Sequence, residues 1–84
     1  MLDKTSIFSS KEVERAVINE VLKEVYDALK ERGYNPINQF VGYLVSGDPG
    51  YISSYKNARS KILSLERTEI LVALLEGYLE IWNV

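Results

Sequence analysis

The segment Glu69–Trp82, EILVALLEGYLEIW, decides how this chain folds. It predicts a helix that is apolar on almost every side, and such a helix is normally buried on every side. A chain of 84 residues is too short to surround one. We therefore predict that one face packs on the chain's own core and that another face meets a second subunit. The residues predicted at that dimer interface are Leu71, Leu75, Tyr78 and Trp82.

A second long helix is predicted from about Ser10 to Arg32. Its apolar stripe recurs every fourth residue, as expected for one face of a helix: Val13, Val17, Val21, Val25 and Leu29. Ser9 and Glu12 have the spacing of a capping box, and Gly33 is placed to end the helix in the left-handed conformation. Residues 1–8 are predicted to be a flexible N-terminal tail, and residues 9–84 a single helical domain.

Shorter helices are predicted between the two long ones. Asn35-Pro36 and Asp48-Pro49 both have an N-cap residue followed by a first-turn proline. The first pair opens a helix that ends at Gly47, and the second opens a weak segment of one or two turns. A further helix is predicted over Lys56–Leu65, and Thr68 is placed to cap the last one. The predicted fold is all-α, a compact bundle of about five helices (two long, three short) that forms a helical homodimer.

Composition argues against several function classes. The chain has no histidine and no cysteine, which removes the commonest general base and the commonest zinc ligands. We predict no enzyme activity, no metal site and no cofactor, since the glycines match no phosphate-binding loop and the carboxylates lie at helix caps or on polar stripes. No segment has the ~20 apolar residues of a membrane span. A cytoplasmic location is the default prediction.

Tyrosine, asparagine and glutamine are concentrated between Gly33 and Tyr55. Tyrosine is common in interfaces because its ring buries area while its hydroxyl keeps a polar partner. The predicted interaction surface comprises Asn38, Gln39, Tyr43, Tyr51 and Arg59. The alternative is that these residues serve turns and a partly buried aromatic cluster. For Asn38, Gln39 and Tyr51, the two interpretations remain open.

A second hypothesis is a helix-turn-helix dimer that binds nucleic acid. Its evidence is a local basic strip that could contact phosphates: Lys56, Arg59, Lys61 and Arg67. Against it, the formal net charge of the chain is -2, whereas nucleic-acid-binding domains are usually basic. A solvated basic face is the commoner explanation of such a strip.

Several motifs together resemble one protein family. They are GYNPINQ at 33–39, VGY at 41–43, SGDP at 46–49 and NAR at 57–59. This pattern resembles the IreB family of Gram-positive bacteria, whose members are small cytoplasmic helical proteins that form homodimers. The resemblance implies a negative regulator phosphorylated near its N-terminus by a transmembrane Ser/Thr kinase with extracellular PASTA repeats. It also implies a role in cell-envelope stress and cephalosporin resistance, exerted on a protein target that the resemblance does not identify.

The phosphorylation site follows from the same resemblance. The family's N-terminus often reads Asp-Lys-Thr, and Asp3-Lys4-Thr5 matches it, so Thr5 is the implied phosphoacceptor. Some members carry a second threonine slightly earlier, where this chain has Met1 and Leu2. Whether Ser6 is also modified is left open. A second departure is PGYIS at 49–53, where members commonly have Pro-Ala-Tyr and a further proline.

Overall fold

The computed structural model describes residues 10–82. This part of the chain contains helices and turns but no strand, which confirms the all-α prediction. Its elements are α1 (Ser10–Glu31), α2 (Pro36–Ser46), a first 3-10 turn (Pro49–Tyr51), a second 3-10 turn (Tyr55–Asn57), α3 (Ala58–Leu63) and α4 (Arg67–Ile81). The count differs from the predicted five helices, because the weak segment after α2 is a single 3-10 turn. The predicted tail and the Ser9 half of the first capping box lie outside the described residues.

The predicted turn chemistry is confirmed at both ends of α2. The Asn35 side chain accepts a hydrogen bond from the backbone N–H of Asn38 at 3.1 Å, and a proline follows in the first turn. Gly47 ends α2 with a φ of 77°, and Gly33 ends α1 with a φ of 83°. Asp48 caps the first 3-10 turn by accepting from the Gly50 N–H at 2.8 Å.

Two predicted helix starts are wrong. α4 is capped by Glu66 rather than Thr68, in a capping box in which the Glu66 N–H donates to the Glu69 carboxylate at 2.9 Å. α3 begins at Ala58 rather than at Lys56. The reason is that Lys56 and Asn57 have positive φ angles of 51° and 62°, which interrupt a right-handed helix.

The core lies mainly between α1, α3 and the loop that joins α2 to α3. Its largest fully buried side chains are Val25, Leu29, Ile52, Ile62 and Ile70. α4 contributes only Ile70 and Ala73 to the buried set, so it packs through a narrow stripe near its first half. Within residues 10–82, no helix is long and apolar enough to cross a membrane.

Candidate interaction surfaces

The residues predicted at the dimer interface lie on one exposed face of α4, which we call the α4 face. Their spacing of three and four positions places them along one side of the helix. Their exposed fractions are 41% for Leu71, 61% for Leu75, 58% for Tyr78 and 63% for Trp82. The rings of Tyr78 and Trp82 lie 6.1 Å apart and are inclined at 52°. A monomer rarely leaves such a contiguous apolar face in water, so the α4 face is a candidate interface.

A second apolar surface lies beside α4, in a groove between α1 and α2. Its volume is about 390 Å³. It is lined by Leu22, Lys23, Tyr26, Ile37, Phe40, Val41 and Leu74. Ile37 and Val41 are more than half exposed. The groove borders Leu74 of α4, so apolar surface extends from α4 towards the first turn of α2.

The residues predicted as an interaction surface largely hold the loop between α2 and α3. Gln39 donates from Nε2 to the carbonyl of Tyr51 at 2.8 Å. Arg59 donates from Nε to the carbonyls of Ile52 at 2.9 Å and Pro49 at 3.2 Å. These contacts join α2, the loop and α3, and they give both side chains a structural role.

The remaining members of that predicted surface differ in exposure. Tyr43 is buried, with 3% of its area exposed, and belongs to the core rather than to the surface. Tyr51 is partly exposed and lies against Gly42 of α2. The Asn38 residue is exposed. Asn38 and the outer edge of Tyr51 are therefore the members that remain accessible to a partner.

Each cation of the basic strip already has an acceptor within the chain. The strip comprises Lys56, Arg59, Lys61 and Arg67. The two lysines pair with carboxylates of α1, Glu31 at 2.9 Å and Glu24 at 3.2 Å. The two arginines donate to backbone carbonyls, and Arg67 reaches that of Leu44 at 3.1 Å near the end of α2. These contacts give the strip a structural role and do not favour the nucleic-acid hypothesis.

A polar cluster joins the end of α1 to the second 3-10 turn. The Tyr55 hydroxyl donates to Glu31 at 2.5 Å, and Lys56 donates to the other carboxylate oxygen at 2.9 Å. The hydrogen bond from Tyr55, and then that from Lys56, lower the pKa of Glu31. The same hydrogen bond raises the pKa of Tyr55, and the bond to Glu31 raises the pKa of Lys56. The guanidinium of Arg32 lies 5.1 Å from the centre of the Tyr55 ring.

A second cluster, which sequence reasoning missed, joins the start of α1 to the end of α4. We call it the α1–α4 clamp. Lys11 lies 3.1 Å from Glu76, and Arg15 lies 3.5 Å from Glu76 and 3.4 Å from Glu80. The sequence did contain a signal for this cluster. The two cations, Lys11 and Arg15, lie four positions apart, and so do the two carboxylates, Glu76 and Glu80. That spacing places each pair on one side of its helix, but it does not show which helices meet.

Among the described residues, no group of three or more acidic, histidine or cysteine side chains is arranged to hold a metal ion. The predicted phosphoacceptor Thr5 lies outside the described residues. The family model of the IreB regulatory phosphoprotein matches residues 3–80. The chain belongs to the IreB family.

Membership in the IreB family extends over nearly the whole chain. The matched residues include Thr5, the motif segment around α2 and nearly all of α4. The family is described as a regulatory phosphoprotein, which supports a regulatory role for this all-α chain. Its motif residues Gln39 and Arg59 hold the loop between α2 and α3. The regulatory role therefore directs attention to surfaces that bind proteins rather than to a catalytic pocket.

Proposed function

We propose that this IreB-family chain is a homodimeric, cytoplasmic regulatory protein without enzyme activity, phosphorylated on Thr5 by a transmembrane Ser/Thr kinase with PASTA repeats. Through contacts with a target protein, it modulates the response to cell-envelope stress and resistance to antibiotics. The observation that carries the proposal is the family match over residues 3–80. The kinase transfers the γ-phosphoryl group of ATP to the Thr5 hydroxyl oxygen, and the hydroxyl proton and ADP leave.

The choice of Thr5 rests on its position in Asp3-Lys4-Thr5, five residues before α1 begins at Ser10. Phosphorylation adds roughly -1.5 to -2 charges at pH 7. The whole chain has a formal net charge of only -2, so one phosphate nearly doubles it. A change of that size close to a folded surface alters which partners the surface attracts.

The homodimer is supported by the α4 face. α4 buries only Ile70 and Ala73 against its own chain, and the face itself stays exposed. Small domains without disulfides or metals commonly gain stability from a partner subunit. A second copy that pairs through Leu71, Leu75 and neighbouring residues would remove this apolar surface from water, which is the main favourable term in association.

The kinase part of the proposal is tested by mapping phosphate on the full chain. The purified protein is incubated with a PASTA-type kinase domain and ATP, beside Thr5→Ala and Ser6→Ala variants. We expect phosphate on Thr5 in the unmodified protein and in Ser6→Ala, and none on residue 5 in Thr5→Ala. Thr5→Ser serves as a matched control that keeps a hydroxyl. Absence of label on Thr5, with a kinase that is active on another substrate, contradicts the proposal.

A further inference from the structure

Arg15 of the α1–α4 clamp is held loosely. Its two terminal nitrogens reach Glu76 and Glu80 at 3.4–3.5 Å, at the long end of the range for hydrogen bonds. Its Nε is buried and has no acceptor in the described part of the chain. Lys11 approaches Glu76 at 3.1 Å, and its side chain is 74% exposed. The carboxylates of Glu76 and Glu80 therefore do not use all the hydrogen-bond donors of Lys11 and Arg15. An anion of higher charge could bind the two cations more strongly.

The clamp is the main polar link between α1 and the second half of α4. Beyond Ala73, α4 has no buried residue up to Trp82. Arg15 lies over Gly77, where an added Cβ would approach its guanidinium at 3.3 Å. The space between α1 and α4 beside the clamp is a cleft of about 240 Å³ with Ile18 among its lining residues. Apolar packing is thus thin here, and the ion pairs of the clamp are the contacts that join the second half of α4 to α1.

We propose that Lys11 and Arg15 form a binding site for the phosphate of phosphorylated Thr5, which displaces Glu76 and Glu80 and releases the second half of α4. This inference rests on the phosphorylation of Thr5 proposed above. Thr5 lies five positions before Ser10, and an extended chain spans at most ~3.3–3.6 Å per position, so ~17 Å are available. Arg15 lies about 7.5 Å along the axis of α1 from Ser10, at 1.5 Å per residue. The cations are within that reach.

Three electrostatic effects act in the same direction. A phosphate dianion attracts Lys11 and Arg15 more strongly than a carboxylate does, and it can accept two parallel hydrogen bonds from a guanidinium. It also repels Glu76 and Glu80, which lose their cations as the phosphate gains them. The N-terminal end of α1 adds a favourable partial positive charge. The end of α4 carries Tyr78 and Trp82, so its release would connect the modification to the α4 face.

The binding step is tested on protein that carries phosphothreonine at residue 5, introduced by chemical ligation. The phosphorus NMR signal is titrated with pH in this protein and in the phosphorylated Lys11→Gln/Arg15→Gln variant. Because nearby cations favour the dianion, we expect the second phosphate pKa to lie at least about half a unit lower in the unmodified background. Equal titration midpoints would overturn the proposal. A phosphorylated Lys23→Gln variant, whose lysine pairs with Asp27 on α1, should match the unmodified background.

The release step is tested by amide hydrogen exchange of residues 76–81. Phosphorylation should raise their exchange rates severalfold, and the Glu76→Gln/Glu80→Gln variant should show the same rise without phosphate. In that double variant, phosphorylation should add nothing further. If the rates stay unchanged, or rise equally in Lys11→Gln/Arg15→Gln, the proposal is wrong. Because the phosphate is installed chemically, this result is independent of the kinase assay, which alone decides whether Thr5 is a substrate.

Discussion

The ring of Tyr51 lies against Gly42 so closely that a Cβ atom on residue 42 would overlap it. Gly42 is in α2, and Tyr51 ends the first 3-10 turn, nine residues further along the chain. The carbonyl of Tyr51 also accepts a hydrogen bond from Gln39 at 2.8 Å. The VGY and SGDP motifs are thus linked in space, because the glycine of the first motif leaves room for Tyr51, two positions after the second motif.

Gly42→Ala is therefore expected to destabilise the protein although alanine favours helices. The added methyl group forces the Tyr51 ring out of place, and overpacking of this kind costs about 1–3 kcal/mol. Gly77→Ala is the matched control in α4, where the added atom meets only the flexible end of Arg15. That variant should gain up to about 1 kcal/mol from helix propensity. Both are measured by chemical denaturation.

Removal of the Tyr51 ring should restore the stability that Gly42→Ala loses. In Gly42→Ala/Tyr51→Ala, the methyl group has space, so the cost of the glycine change should largely disappear relative to Tyr51→Ala alone. A loss that persists in the double variant would show that the Tyr51 contact is not the cause.

Local rules predicted the parts of this fold that neighbouring residues decide. The caps at Asn35, Gly47 and Asp48 contact only backbone groups a few positions away along the chain. Sequence alone was therefore enough to identify them. The α1–α4 clamp joins residues 61 to 65 positions apart, and no local rule shows such a contact. The start of α4 was misplaced for another reason. Glutamate is an uncommon N-cap, so local rules point to the threonine at residue 68 and do not identify Glu66.

The same limit of local rules explains why some residues of the predicted interaction surface have structural roles instead. Its tyrosines and amides were judged by type, and residue type does not show which side of a helix meets the core. Tyr43 proved to be in the core and Gln39 to hold a loop. Leu71 and Leu75, which are predicted at a dimer interface, lie on an exposed side of α4, because α4 has more apolar positions than one core contact can cover.

Asn57 holds a left-handed conformation, with a φ of 62°, directly before α3. Asparagine tolerates this region better than other residues with a Cβ, and glycine tolerates it best. Asn57→Ala should lower the free energy of unfolding by about 1 kcal/mol. Asn57→Gly should leave it within about 0.5 kcal/mol, because relief of backbone strain offsets the greater freedom of the unfolded chain. Denaturant midpoints for the two variants give the comparison, and equal losses would argue against backbone strain.

Protonation of Glu31 should weaken the junction between α1 and the second 3-10 turn in acid. The hydrogen bond from Tyr55 holds the pKa of Glu31 below its ordinary value of 4.5. A lowered carboxyl pKa stabilises the folded state above the unfolded value, and this contribution is lost as pH falls through the folded value. We therefore expect the loss below about pH 4.5, visible as local chemical-shift changes around residues 55–57.

The cause of this shift can be separated by substitution. Carbon NMR titration of the Glu31 carboxyl should show its pKa rise towards the ordinary value in Tyr55→Phe, and rise less in Lys56→Gln, because the tyrosine bond is the larger cause. An unchanged Glu31 titration in Tyr55→Phe would refute this assignment.

At the alkaline end, the hydrogen bonds with Glu31 raise the pKa values of Tyr55 and Lys56. These hydrogen bonds stabilise the junction at neutral pH, and their contribution is lost above about pH 10.

Leu75→Glu should convert the proposed dimer into a monomer. Leu75 is 61% exposed in the single chain, so a carboxylate there costs little within one subunit. At an interface, two such charges would be desolvated and brought together, which costs several kcal/mol. Sedimentation velocity over a wide concentration range should show a dimer for the unmodified protein and a monomer for the variant. The single tryptophan, Trp82, should at the same time shift its fluorescence to longer wavelength.

Val13→Glu is the matched control for this test. Val13 is 53% exposed, and it lies two positions from Lys11 and Arg15, about 200° around α1 from the side that contacts α4. A carboxylate there adds the same charge and removes a similar apolar side chain, so the variant should remain a dimer. If Val13→Glu dissociates the protein and Leu75→Glu does not, the interface lies on another face. If the unmodified protein is monomeric at every concentration, the proposed homodimer is wrong.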